Sequence, residues 1–248
     1  LPASAMALAR LNRPGFIIYG GSMKPSYYNI KGENKKLDIV SSFESYGQFI
    51  KGDINDKERQ GIVENSCHGD CGACSGFYTA NTMACLLEVM GLMLPNGSSN
   101  MSASTEKRVE LINSGQTIKN LLEKDIKPLD IMTRESFLNA VKFLTLIGGS
   151  TNGVIHLLAI AKTAGVQLTL DDFKEFEHLP VLTNMKPHGT NVMDDLNRIG
   201  GTSTLIKYLI DYGILDGDCL TITGKTLKEN TNDSQIVDLD SNIILPYE

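Results

Sequence analysis

Residues 67–94 read CHGDCGACSGFYTANTMACLLEVMGLML. The stretch changes character near its middle. The first half is rich in glycine and thiols and reads as a loop. The second half, TANTMACLLEVMGLML, is an apolar run suited to a buried helix, with Thr79 or Ser75 as its candidate cap.

Working outward toward the N-terminus, Lys24 to Lys36 reads as a polar loop, and GFIIYGG (15–21) as a buried strand entering a glycine turn. Pro2 to Leu11 has the small packing residues and early proline of a short helix. LDIVSSFESYGQFI (37–50) has helical spacing at Leu37, Val40, Phe43 and Phe49, and Asp53 or Asn55 offers the next cap. Toward the C-terminus, Ser104 or Thr105 starts one helix, and Thr133 with Ser136 starts another. VIHLLAIAKTAG (154–165) is a helix ending at a glycine, and Thr169 or Asp171 caps a short one. Two more helical pieces follow, and CLTITG (219–224) reads as a strand. Helices and strands in layers give an α/β fold class. The character changes near Asp216, so the expected division is an α/β domain over 1–215 and a second domain beginning at 216–248.

The net charge of −6 disfavours a nucleic-acid surface or an anionic membrane as partner. No window approaches the roughly 18 apolar residues of a membrane-spanning helix. Five cysteines, three of them in eight residues, do not form a secreted disulfide framework. Reduced thiols fit better.

Cys67, Cys71 and Cys74 have the spacing C-x3-C-x2-C. Soft thiolates suit iron or zinc, and three would hold an iron–sulfur cube with one open iron. Radical S-adenosylmethionine enzymes share this spacing, but they place an aromatic where Ala73 stands. Cys71 and Cys74 also form a C-x2-C pair, which would suit thiol–disulfide exchange at a helix start. The remaining reading is three inert thiols. Cys85 and Cys219 read as core residues.

Gly148, Gly149, Ser150, Thr151 and Asn152 offer amides and hydroxyls at a helix start, suited to an anion or to a plain cap. GGSMK (20–24) would cradle a carboxylate or phosphate but lacks phosphate-loop spacing. Lys186 to Gly189 reads as a structural turn, His156 as a hydrogen-bonded core or interface residue, and Glu88 as a solvated helix-face residue.

The order of ALARLNRP, YGG, LDIVSSFESYGQ, GACSGFYTANTMA, GLMLPNGSS, LIGGSTNGVIHLLAIA, KPHGTNVMDDLNRIGG and GDCLTITGKTLKEN closely resembles the dihydroxy-acid dehydratase family, which also holds phosphogluconate and other sugar-acid dehydratases. LDIVSSFESYGQ and the Val-Ile after GGSTNG are similar to the branched-chain members. The resemblance implies the N-terminal α/β domain of that family with the start of a swivelling C-terminal β-barrel. It also implies a homodimer acting on a small dihydroxy acid. Such enzymes convert 2,3-dihydroxyisovalerate and 2,3-dihydroxy-3-methylvalerate to 2-oxo acids in valine and isoleucine synthesis. Their cofactors are an iron–sulfur cluster, 2Fe-2S or 4Fe-4S, and Mg²⁺. Bacterial members are cytoplasmic, and eukaryotic ones mitochondrial or plastid.

Carried over by residue, the family's cluster cysteine matches Cys74. Cys71 matches a position that is cysteine in some members and glycine in others. Cys67 lies near a recurrent cysteine that is not a ligand, across the segment HGD, which looks one residue longer here. The remaining cluster cysteines, the Mg²⁺ ligands and the serine base belong to motifs that these 248 residues do not show. Leu1, Pro2 and Ala3 match the tail of one of those motifs. The chain thus reads as an internal fragment, inactive by itself. Ser75, Phe77, Gly153 and His188 depart from the family's usual residues.

Overall fold

The structure, a computed structural model, describes residues 1–67 and 71–247. The HGD segment at 68–70 lies outside the described residues.

Twelve α-helices, one hairpin and a short 3-10 helix (Leu239–Ser241) make up the regular structure among them. Helix α1 (Pro2–Leu11) precedes the hairpin β1 (Ser26–Ile30) and β2 (Glu33–Leu37), and α2 (Ile39–Lys51) and α3 (Asp56–Asn65) follow. Then come α4 (Thr79–Val89), α5 (Thr105–Glu123), α6 (Pro128–Ile131), α7 (Arg134–Leu146) and α8 (Asn152–Ala164). The last are α9 (Leu170–Glu175), α10 (Met193–Arg198), α11 (Gly201–Asp211) and α12 (Leu227–Thr231).

Helix α4 is the centre. Every residue from Asn81 to Val89 is buried, the polar Asn81, Thr82 and Glu88 among them. It packs on α7 and α8, and α8 packs in turn on α1. Leu86, Leu87, Phe137, Phe143, Leu146 and Leu157 are wholly buried there, each contributing about 2 kcal/mol of apolar transfer. Ile222, Leu227, Ile243 and Ile244, from beyond Asp216, join the same core. A satellite cluster of Ile30, Leu37, Ile54 and Ile62 fixes the hairpin on α3 and the turn before it.

The mixed α/β class holds, but the strands lie elsewhere than expected. Residues 15–19 form no strand: the Ile17 N–H donates to Leu92 O at 3.0 Å, Ile17 and Tyr19 are buried, and Ile18 between them is exposed. Residues 219–224 form no strand and make one isolated bridge, Leu220 to Thr226. The supposed loop at 24–36 is the antiparallel hairpin, with Ile30 opposite Glu33. Its two turn residues, Lys31 and Gly32, have φ of 53° and 89°, the pattern of a type I′ turn. Helix α4 takes no side-chain cap. Tyr78, and neither Thr79 nor Ser75, is its N-cap residue: Thr79 is the first helical residue, with its hydroxyl 3.0 Å from Ser150 Oγ.

Candidate functional site

The loop 71–78 is clamped from four directions. From one side comes the glycine turn 20–24: the Ala73 N–H donates to Gly21 O at 3.0 Å, and the Met23 N–H to Ala73 O at 2.8 Å. GGSMK therefore holds the thiol loop rather than standing open as an anion cradle. The approach is close. A Cβ on Gly72, whose φ is +130°, would lie 2.7 Å from Met23 N.

From below, Asn81 of α4 donates through Nδ2 to Cys74 O at 2.5 Å and Gly76 O at 2.7 Å. The Tyr19 hydroxyl donates to Asn81 Oδ1 at 2.7 Å and fixes that amide's orientation. Ser22 Oγ adds a bond to Cys74 O at 3.2 Å. From the third side, the Phe77 N–H donates to Lys186 O and the Met193 N–H to Ser75 O, both at 2.7 Å. From the fourth, Ser102 Oγ meets Cys71 Sγ at 3.2 Å, and the Ser102 N–H reaches Ser22 O at 2.9 Å.

Within this frame Cys74 is half-buried, while Cys67 and Cys71 are exposed. Burial pushes the Cys67 thiol up, and the charges of Cys74 and Asp38 add to that shift. Among the described residues no three His, Cys, Asp or Glu side chains are grouped to hold a metal ion. The thiols thus stand on one loop without closing a three-ligand cage. One half-buried soft thiol in a rigid loop fits one corner of an iron–sulfur cluster. The carboxylate at this site, Asp38, is already engaged by Lys186 and Ser41. The residues here therefore do not fit a Mg²⁺ cage. Cys85 and Cys219 are buried thiols whose pKa burial pushes up to about 12, which suits packing and not ligation.

Asp38, Tyr78 and Lys186 form a polar cluster beside the loop. Asp38 Oδ2 accepts Lys186 Nζ at 2.9 Å and the Tyr78 hydroxyl at 3.4 Å. Burial pushes Asp38 up, but the hydrogen bonds from Lys186 and the Ser41 amide hold its pKa below the ordinary carboxylate value. Burial first, then Asp38, raises the Tyr78 phenol. Sequence reasoning missed this cluster. Lys186 lay in a turn read as structural and Asp38 in a helical segment, and nothing local joins positions so far apart.

The GGSTN segment lies next to it. Thr79 Oγ1 and Ser150 Oγ are 3.0 Å apart, Asn152 Nδ2 donates to Thr79 Oγ1 at 2.9 Å, and the Ser150 N–H donates to Thr82 Oγ1 at 3.0 Å. Gly149, Ser150 and Thr151 line a cleft of about 340 Å³ with Phe77, Tyr78, Thr79 and Pro187. Gly149 and Ser150 are half-buried, and Thr151 and Asn152 are exposed. His188 fills space against Gly148 and its Nε2 lies 2.7 Å from Thr183 O. His156 is half-buried on α8. Glu88, expected on a solvated face, is 3 % exposed. It accepts the Asn96 N–H at 2.8 Å, the Ser98 N–H at 2.9 Å and Ser98 Oγ at 2.6 Å.

The family model for the dihydroxy-acid/6-phosphogluconate dehydratase N-terminal domain matches residues 1–230. The dihydroxy-acid dehydratase of Francisella tularensis subsp. novicida is 50% identical over 245 residues, 98% of this chain and 43% of that protein. The dihydroxy-acid dehydratase of Lactococcus lactis subsp. lactis is 49% identical over 99% of this chain and 42% of its own length. From Aspergillus terreus, dihydroxy-acid dehydratase astD, mitochondrial, is 47% identical over 99% of this chain and 41% of its own length. The chain thus spans less than half the length of these relatives. Among the described residues no helix is long and apolar enough to cross a membrane.

Proposed function

The chain belongs to the dihydroxy-acid/6-phosphogluconate dehydratase family, and on that premise we propose that it serves a hydro-lyase acting on 2,3-dihydroxy carboxylic acids. The substrates are 2,3-dihydroxyisovalerate and 2,3-dihydroxy-3-methylvalerate, dehydrated to 2-oxo acids for valine and isoleucine synthesis. Identity near 50% over almost the whole chain to proteins named dihydroxy-acid dehydratase carries this reading. The compartment follows the source, cytoplasmic in a bacterium and mitochondrial or plastid in a eukaryote, and the working form is a homodimer.

Cys74 is the residue of this chain that would hold an iron–sulfur cluster. When bound, such a cluster supplies a Lewis-acidic iron for the departing hydroxyl. The chain's own residues keep that thiol in place. Asn81 and Ser22 fix the Cys74 carbonyl, the 20–24 turn pairs with Ala73, and Lys186 holds Phe77. A site fixed by so many bonds keeps its geometry without reorganising during reaction. The cleft beside Thr79, Ser150 and Thr151 offers hydroxyls to a small polar acid.

The test is an anaerobic assay of the full-length protein that follows formation of the 2-oxo acid. Turnover of 2,3-dihydroxyisovalerate is expected. Turnover of a sugar acid such as 6-phosphogluconate in its place would move the assignment to the sugar-acid members. Turnover of neither by an iron-loaded protein would point to a non-catalytic relative.

A further inference from the structure

We infer that Asp38 is a positioning residue of the Cys74 site, acting through Lys186 and Tyr78 to set the loop's orientation. The inference rests on the reading of Cys74 as a cluster ligand.

Asp38 is 2 % exposed, and its two carboxylate oxygens divide their duties. Oδ1 accepts the Ser41 N–H at 3.0 Å and so caps α2. Oδ2 accepts Lys186 Nζ and the Tyr78 hydroxyl. A helix cap needs only the first. The second oxygen joins two elements that bear directly on the thiol loop. Lys186 carries the carbonyl that holds Phe77 N–H, three residues from Cys74. That carbonyl would lie 3.0 Å from a Cβ on Gly76, so the two backbones are in contact. The Lys186 N–H donates to Asn191 O at 2.8 Å, and two residues on, Met193 holds Ser75 O. Tyr78 is the first residue of the loop's exit into α4, and its ring lines the cleft with Thr79 and Ser150. One carboxylate thus links α2, the Lys186 turn and the start of α4 around a single thiol. Lys186 balances the charge of Asp38, so the buried carboxylate is paired.

The test uses the full-length holoenzyme, purified anaerobically, with four variants. Asp38→Asn and Tyr78→Phe cut the link, Ser41→Ala removes the hydroxyl that accepts the Asp38 N–H at 3.3 Å and donates to Oδ1 at 3.2 Å while leaving Oδ2 untouched, and Cys74→Ser reports on the premise. The readouts are iron per protein, the visible circular dichroism of the bound cluster, melting temperature, and kcat and KM separately. Asp38→Asn and Tyr78→Phe are expected to retain iron, to shift the visible spectrum alike, and to lower kcat/KM about fivefold, the size of one lost hydrogen bond. Ser41→Ala is expected to lower the melting temperature and leave the spectrum alone. An Asp38→Asn protein that melts earlier but keeps the wild-type spectrum and kcat/KM reduces Asp38 to a helix cap and overturns the inference. If that variant does not fold, Tyr78→Phe decides by the same spectrum. A wild-type spectrum in Cys74→Ser would instead sink the ligand reading, a result distinct from failure of the Asp38 link.

Discussion

At the scale of single residues, two buried carboxylates make opposite statements about pH. Asp38 is held below the ordinary carboxylate range, so the native state binds fewer protons there than the unfolded chain does. Its stabilisation is present above the ordinary aspartate pKa of about 4 and is lost as pH falls through the lower native value. The stability gap between wild type and Asp38→Asn should therefore narrow in acid. Glu88 is raised by burial, so folding favours its protonated form, and native stability declines as pH climbs through the window above 4.5. Glu88→Ala leaves the Asn96 and Ser98 amides without their acceptor, at a cost of about 2–4 kcal/mol. Urea titration checks this by a lower midpoint at unchanged slope. A loss under about 0.5 kcal/mol would show that the loop finds other partners.

At the scale of elements, Gly91 ends the central helix at φ +84°, and a Cβ there would meet Leu220 O at 2.8 Å. Gly91→Ala should cost more than about 1 kcal/mol, and Leu87→Ala in the helix itself about 2–5 kcal/mol, both read from thermal melts. Long helices with local caps were legible. Thr133, Ser104 and Asn55 cap α7, α5 and α3 where the sequence places them. The hairpin was not, because Lys-Gly replaces the usual Asn-Gly turn and its strands are mostly charged and polar. The run at 15–19 misleads because exposed Ile18 between buried Ile17 and Tyr19 repeats the alternation of a strand, and only a distant partner tells the two apart. Spacing also finds the apolar stripe of α2 without saying where it points. Phe43 is 71 % exposed and Ile50 68 %. Of the site, Cys74 and the hydroxyls around Ser150 could be found from local motifs. The Asp38–Lys186 pair spans α2 and a distant turn and has no local signal.

At the scale of the whole molecule, the described residues set a rigid, many-bonded loop bearing Cys74 on a buried helix, and a satellite subdomain beside it joined through Asp38 and Lys186. Among the described residues no three His, Cys, Asp or Glu side chains are grouped to hold a metal ion. The central claim is that Cys74, and not the whole thiol loop, serves the cluster. The direct measurement is iron and visible absorption of full-length protein with Cys67, Cys71 or Cys74 changed singly to serine, purified without oxygen. The account predicts that Cys74→Ser loses most of its iron and its absorption while Cys67→Ser and Cys71→Ser keep theirs. Equal losses in all three, or full iron in Cys74→Ser, would contradict it.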